Sequence, residues 1–199
     1  MSLTISENNK PVIPPLADGT YPAICYLLAD IGVQYNERFA KKSKQVVVGW
    51  EVIGETVTID GEEKPRTFFN TYTASLDSKS KLRSALKAWR GRDFTLEELK
   101  AFDLKNIVGA PCFITVTTTE KEDGRQYSNL AGVAKLPKGF EAPAATLEPI
   151  VYDIDENDPA DIAKLPEWIQ KKITDSESYV QRQAKQFAEI DDSDGELPF

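Results

Sequence analysis

The side chains of this chain best placed to do chemistry are its clustered cations. Over residues 78–90 a helical pattern brings Lys79, Arg83, Lys87 and Arg90 within about 80° of one another, at 100° per residue. Such a row suits a polyanion with regular phosphates, because each weak contact releases condensed counterions. Lys41, Lys42, Lys44, Arg66, Arg92 and Arg125 lie in or beside expected loops and complete the expected phosphate-binding set. Taken alone, the helix reads equally as a solvated basic face with no ligand.

Aromatic rings fall among these cations. Phe68, Phe69 and Tyr72 share one extended stretch, so Phe68 and Tyr72 point to one face and Phe69 to the other. Trp50, Tyr35, Phe39 and Tyr127 also lie near basic residues. Exposed rings interleaved with Lys and Arg are what sequence-tolerant recognition of single strands requires, each stacked base contributing about 1–3 kcal/mol. The expected stacking rings are Trp50, Phe68, Tyr72 and Tyr127. Trp89 belongs to the apolar stripe Leu82, Ala85, Leu86, Trp89 and reads as core.

Several chemistries find no residues here. The chain has no His, which removes His-based general bases, Ser-His-Asp triads and His-ligated metals. Its two cysteines, Cys25 and Cys112, are too few for a four-cysteine zinc site or a disulfide framework, and their apolar surroundings read as buried reduced thiols. No Gly-rich phosphate loop with Lys-Ser/Thr occurs, and no G-x-G-x-x-G. The run from Asp153 begins like a calcium loop, but Asp158 stands where Gly is needed and Lys164 where Glu is needed. Asp77, Asp93 and Asp103 are the carboxylates to consider for metal-dependent nuclease chemistry, yet nothing in their spacing favours convergence. No catalytic residue, metal or cofactor is therefore expected. The longest apolar run, Ala23 to Ala29, is too short for a membrane span, and the first ten residues do not resemble a signal peptide. The expectation is a soluble cytoplasmic protein.

These residues need elements to hold them. Residues 1–15 read as a flexible arm punctuated by Pro11, Pro14 and Pro15. Strands are expected over Tyr21–Val33, with Gly32 as a bulge, over Val46–Ile53 extended by Val57–Ile59, and over Thr67–Thr73. Residues 36–45 read as a basic loop and Asp60-Gly61 as a hairpin turn. A helix over Ser78–Arg90 ends at Gly91, and a second starts at Thr95 with a Thr95/Glu98 capping box. Two more strands, Pro111–Thr119 and Arg125–Leu136, flank the turn Asp123-Gly124. Three strands, a helical connection and two strands is the element order of an OB-fold, a five-stranded barrel, expected over residues 16–140.

Charge divides the chain at the same point. The formal net charge is −8, but residues 1–140 carry 19 Lys+Arg against 17 Asp+Glu, whereas residues 141–199 carry 5 against 15. A body of net +2 is thus followed by an appendage of net −10. The appendage reads as a Pro/Ala and acidic linker over 141–158, a helical segment over 159–190, and an acidic tip over 191–199 that ends in Leu-Pro-Phe. An acidic appendage beside a basic body can compete with DNA for the same cations.

The tip, Asp191-Asp192-Ser193-Asp194-Gly195-Glu196-Leu197-Pro198-Phe199, resembles the acidic C-terminus of bacterial and phage single-stranded DNA-binding proteins. The stretches RTFFNTYTASLDSKSKLRSALKAWRGRDFT, NIVGAPCFITV and LPEWIQKKI look like those of the bacteriophage-encoded members. Together with the tip they cover a little under a third of the chain. The resemblance implies an OB-fold core that coats single strands in replication, recombination and repair. It also implies a tip that recruits helicases, polymerases or recombination enzymes, acting in the host cytoplasm if phage-encoded. Physically, Leu197, Pro198, Phe199 and the terminal carboxylate suit a basic-rimmed apolar pocket, while Asp191, Asp192, Asp194 and Glu196 steer the encounter. Ser193, Gly195 and Leu197 depart from the commonest bacterial tip, and the expected helices at 159–190 are unusual among bacterial relatives. Two other readings stay open: an acidic protein-interaction module or DNA mimic, and a metal-dependent DNA nuclease. A homo-oligomer is compatible with the small footprint of one such domain, but no interface signature appears.

Overall fold

The computed structural model describes residues 13–37, 40–122, 124–141 and 144–193, with side chains described as far as residue 185. Its centre is a long bent strand, β1 (Gly19–Asn36), flanked by β2 (Lys41–Ile59), which pairs in turn with β3 (Glu62–Thr73). On the other edge of β1, its first half pairs antiparallel with β4 (Pro111–Glu120), which pairs with β5 (Gln126–Ala134). The second half of that edge pairs in parallel with a short strand, β6 (Ile150–Tyr152). The sheet order is β3-β2-β1-β4-β5, curled into an open half-barrel. Helices α1 (Lys81–Arg90) and α2 (Leu96–Lys100) connect β3 to β4, and α3 (Glu167–Thr174) and α4 (Glu177–Ser193) follow β6. Among the described residues, no helix is long and apolar enough to cross a membrane.

Local sequence explains the turns. Asp60 and Gly61 both take positive φ, 55° and 80°, as a two-residue hairpin turn that matches the strand twist requires. Gly32, at φ 69°, sits in an irregularity of the β1–β2 ladder between Asp30 and Val33. Ser80 caps α1, Gly91 ends it in the left-handed conformation, and Thr95 and Glu98 form the expected capping box of α2. The basic stretch expected as a loop is shorter than its composition suggests, because β2 already starts at Lys41 and pairs with the end of β1.

The sheet is covered on both faces. Inside the curl, Trp50, Phe68, Tyr72, Leu82, Leu86, Trp89 and Ile114 belong to one core. On the outer face, Leu27, Ala29, Ile31 and Val47 pack beneath Tyr152, Ile154, Leu165, Ile169 and Ile173. The run Ala23–Ala29 is continuously apolar because this strand is buried on both sides. Within the segment expected as a linker, residues 144–158 pack against the body. The buried Glu51 carboxylate accepts hydrogen bonds from the Thr146 and Leu147 N–H groups, at 2.9 Å each, and from the Thr146 hydroxyl at 2.7 Å. β6 then docks on β1, and Ile162 to Ile173 cap the outer core. Burial also holds the two thiols protonated. The Cys25 pKa is pushed up to about 12 and that of Cys112 is raised further, and both are free.

Candidate nucleic-acid interface

Among the described residues, β3 and β5 are the two edges of the curled sheet, and α1 packs against both of them. A groove of about 510 Å³ runs there, between Asn70–Tyr72 of β3 and Leu130–Val133 of β5. It adjoins a second groove of about 710 Å³, and Thr71, Tyr72, Lys79 and Lys81 line both. The second groove continues past Thr73, Gln45 and Ser43 to Lys41 and to Lys172 of α3.

Lys41, Lys79, Lys81 and Lys172 therefore share one continuous depression. Among the described residues none of the four takes part in an ion pair. Its single carboxylate, Asp77, is engaged locally: Oδ2 accepts from the Ser75 hydroxyl at 2.8 Å, and the Asp77 N–H donates back to Ser75 Oγ at 3.1 Å. The Ser80 hydroxyl donates to the Ser75 carbonyl at 2.6 Å and its oxygen caps α1, fixing the loop that carries Lys79 and Lys81. Lys81 opens α1, whose first turn has no acidic residue, whereas the first turns of α2, α3 and α4 all carry glutamate. A cation at the positive end of a helix dipole is unfavourable by roughly 0.3–1 kcal/mol, and a bound anion reverses that sign. Alternation along β2 explains why Lys41, Ser43 and Gln45 line the groove while Lys42 and Lys44 do not.

The expected cations divide sharply by partner. Arg83 and Lys87 pair with Asp93 at 3.5 and 2.7 Å. Arg92 bonds both Glu98 oxygens, at 3.0 and 2.7 Å, and Arg90 bonds the same carboxylate. The Lys87 ammonium and then the Phe94 N–H hold the Asp93 carboxyl down at about 2, and Arg92 first among its partners holds Glu98 at about 2. Arg90 is also stacked over Phe94 and Phe102, 4.4 and 5.2 Å from the ring centroids. The α1 stripe is thus neutralised within the fold, and Lys79 lies before the helix instead of on it. Lys42 pairs with Glu177 at 2.6 Å, and Lys44 with Asp30 and Asp155 at 2.8 and 3.5 Å, so the acidic C-terminal segment does occupy body cations. Arg66, half-buried, donates to the Pro14 carbonyl, and burial lowers its pKa. Arg125 is exposed at the β4–β5 hairpin, near Tyr127, whose ring carries the Lys121 ammonium at 4.3 Å.

Three of the four expected stacking rings need correction. Trp50, Phe68 and Tyr72 are 1%, 8% and 6% exposed, because the inner face of the curled sheet is filled by α1 rather than open to a strand. Tyr127 remains at the surface. Phe68 and Tyr72 share the inner face and Phe69 the outer, as their alternation requires. Trp89 is core, with its indole N–H donating to the Pro111 carbonyl at 2.9 Å. In the tip, the backbone of Asp191, Asp192 and Ser193 continues α4, whereas Asp194, Gly195, Glu196, Leu197, Pro198 and Phe199 lie outside the described residues.

The carboxylates raised for metal chemistry do other work. Asp103 caps the 3-10 turn Leu104–Ile107 by accepting from the Lys105 N–H at 2.9 Å, and Asp93 and Asp77 are engaged as described. Among the described residues the one gathering of acids is Asp30, Asp153 and Asp155, and the Lys44 ammonium is already paired with two of them. Sequence reasoning overlooked Lys81 and Lys172 as groove cations. Lys81 falls off the helical stripe, and Lys172 lies in a separate segment with nothing local to tie it to β3. No family model matches the chain, and no curated protein matches it.

Proposed function

We propose that this chain binds single-stranded DNA without sequence preference and holds it along the β3–α1 groove. The observation that carries the reading is the set of four lysines, Lys41, Lys79, Lys81 and Lys172, that line one continuous groove without carboxylate partners among the described residues. Cations brought together and left unneutralised cost self-repulsion, which a polyanion relieves. The architecture supports an OB-like reading: β1 pairs antiparallel with both β2 and β4, a helix sits between β3 and β4, and the sheet order β3-β2-β1-β4-β5 is that of an opened five-stranded barrel. Such a body exposes edge and groove to an extended strand. The resemblance of the tip to those of phage single-stranded DNA-binding proteins supports a second role, recruitment of replication or recombination proteins through residues 191–199.

Titration of labelled oligo(dT), followed by anisotropy at several salt concentrations, tests this. Four phosphate contacts give a slope of log K against log salt of about −3, or about 50-fold weaker binding at 200 mM than at 50 mM salt. A salt-independent affinity, a preference for duplex, or no binding at low salt overturns the reading. Cleavage of the oligonucleotide in Mg2+ replaces it with the nuclease.

A further inference from the structure

With Trp50, Phe68 and Tyr72 in the core, the groove as described offers phosphate contacts but few surfaces for bases. One exposed indole lies next to it. Trp168 is 40% exposed, in contrast to Trp50 at 1% and Trp89 at 7%. It stands one helical turn before Lys172 on α3, so the two side chains share a helix face. Lys172 lines the groove together with Thr71 and Thr73 of β3. Trp168 packs edge-on against Phe69, with ring centroids 5.5 Å apart and planes at 80°. Phe69 is the next residue after Thr73 and Thr71 on the same strand face. The row Thr73, Thr71, Phe69 therefore leads from the lysine groove to the indole, in steps of about 7 Å.

The indole rests on packed rings. Phe69 pairs across the sheet with Gly49, and a Cβ at position 49 would come within 2.8 Å of the Phe69 ring. Glycine there lets the phenyl ring lie against the sheet. Tyr26 also meets the Phe69 ring edge-on, with centroids 6.2 Å apart. Ile169 and Ile173 of α3 are fully buried in the outer core, so the helix that carries Trp168 is anchored and the indole has little freedom to lose on binding. An exposed ring on a rigid base, flanked by an unpaired cation, meets both needs of single-strand contact, stacking and charge.

We infer that Trp168 stacks on a base of the bound strand, with Lys172 on the adjoining phosphate, so that α3 forms part of the DNA-binding surface. This rests on the single-strand reading above. The test compares wild type, Trp168→Phe and Trp168→Ala by anisotropy of labelled oligo(dT) and by quenching of intrinsic tryptophan fluorescence with unlabelled oligo(dT). Wild type should be quenched, and Trp168→Phe should lose most of that quenching, since Trp50 and Trp89 are enclosed. Trp168→Ala should bind about 5- to 160-fold more weakly at every salt concentration with an unchanged salt slope, because stacking carries no charge. Trp168→Phe, which keeps a ring against Phe69, covers the case in which the alanine variant does not fold. Full quenching in Trp168→Phe, or wild-type affinity in a folded Trp168→Ala, overturns the inference while leaving the single-strand reading intact. Failure of the wild-type chain to bind oligo(dT) overturns both.

Discussion

Two clusters of cations in this chain have opposite fates, although Lys79 and Lys81 of one lie within a few residues of Arg83 in the other. Arg83, Lys87, Arg90 and Arg92 surround Asp93 and Glu98, and every one of the four is paired. Lys41, Lys79, Lys81 and Lys172 come from three separate elements and one loop, meet along a groove, and have no carboxylate partner among the described residues. The first cluster is contiguous in sequence and resembles a phosphate-binding stripe, whereas the second is assembled only by the fold. Periodicity finds cations on one face. It does not find the acids that neutralise them, Asp93 in the following loop and Glu98 on α2. What separates a binding surface from a stabilising one is the charge left over after the fold has paired what it can.

Charge removal in the groove should give the largest difference between the clusters. Each lysine that meets a phosphate contributes about 0.7 to the salt slope, equivalent to about fivefold in affinity at 0.1 M salt. The double variant Lys79→Ala Lys81→Ala should therefore bind oligo(dT) about 25-fold more weakly at that salt, with a slope shallower by about 1.4. Neither lysine is buried or paired, so its melting temperature should match or slightly exceed that of wild type, the more so because Lys81 opposes the α1 dipole. Wild-type affinity and slope in this variant would remove the groove from consideration.

The same removal on the helix face should do far less to binding. Arg83→Ala Lys87→Ala should stay within about twofold of wild type in oligo(dT) affinity, because cations already paired release few counterions. Its melting temperature should fall instead, since Asp93 loses both partners. A loss of affinity as large as that of the groove variant would erase the distinction between the clusters.

The contrast also explains what could be read from the sequence. Capping residues are local, so Thr95, Glu98 and Gly91 announce their helix ends correctly, and Asp60-Gly61 its turn. Alternation separates Phe68 and Tyr72 from Phe69, but does not say which face α1 will fill. The continuous apolar run Ala23–Ala29 already implied a strand buried on both faces, and hence a cover for the outer one. That cover begins in the segment whose acidic, proline-bearing composition reads as linker because its apolar residues, Tyr152 and Ile154 among them, are thinly spaced, and it continues through Ile162 and Leu165 into α3. Lys172 and Trp168 are not legible for a different reason: Thr71, which lines the same groove as Lys172, and Phe69, which packs against Trp168, lie about a hundred residues away.

Acid titration should give the smallest effect and sharpens the comparison from the other side. Asp93 and Glu98 are held at about 2 in the folded protein, below the roughly 4 of carboxylates in an unfolded chain. Between those values the unfolded chain binds more protons than the fold, so the stability these acids contribute is complete above about pH 5 and is lost as pH falls towards about 2. Both side chains lie at the surface, so water and salt screen part of this contribution. The double variant Asp93→Asn Glu98→Gln should melt at a lower temperature than wild type at neutral pH, and the gap should close as pH falls through the acid range. Its affinity for oligo(dT) at neutral pH should not decrease, because the substitutions add net positive charge near the DNA and remove none from the groove. A gap that persists at acid pH would mean that Asp93 and Glu98 act through packing instead of through charge, and the α1 cations would then count as available to a phosphate after all.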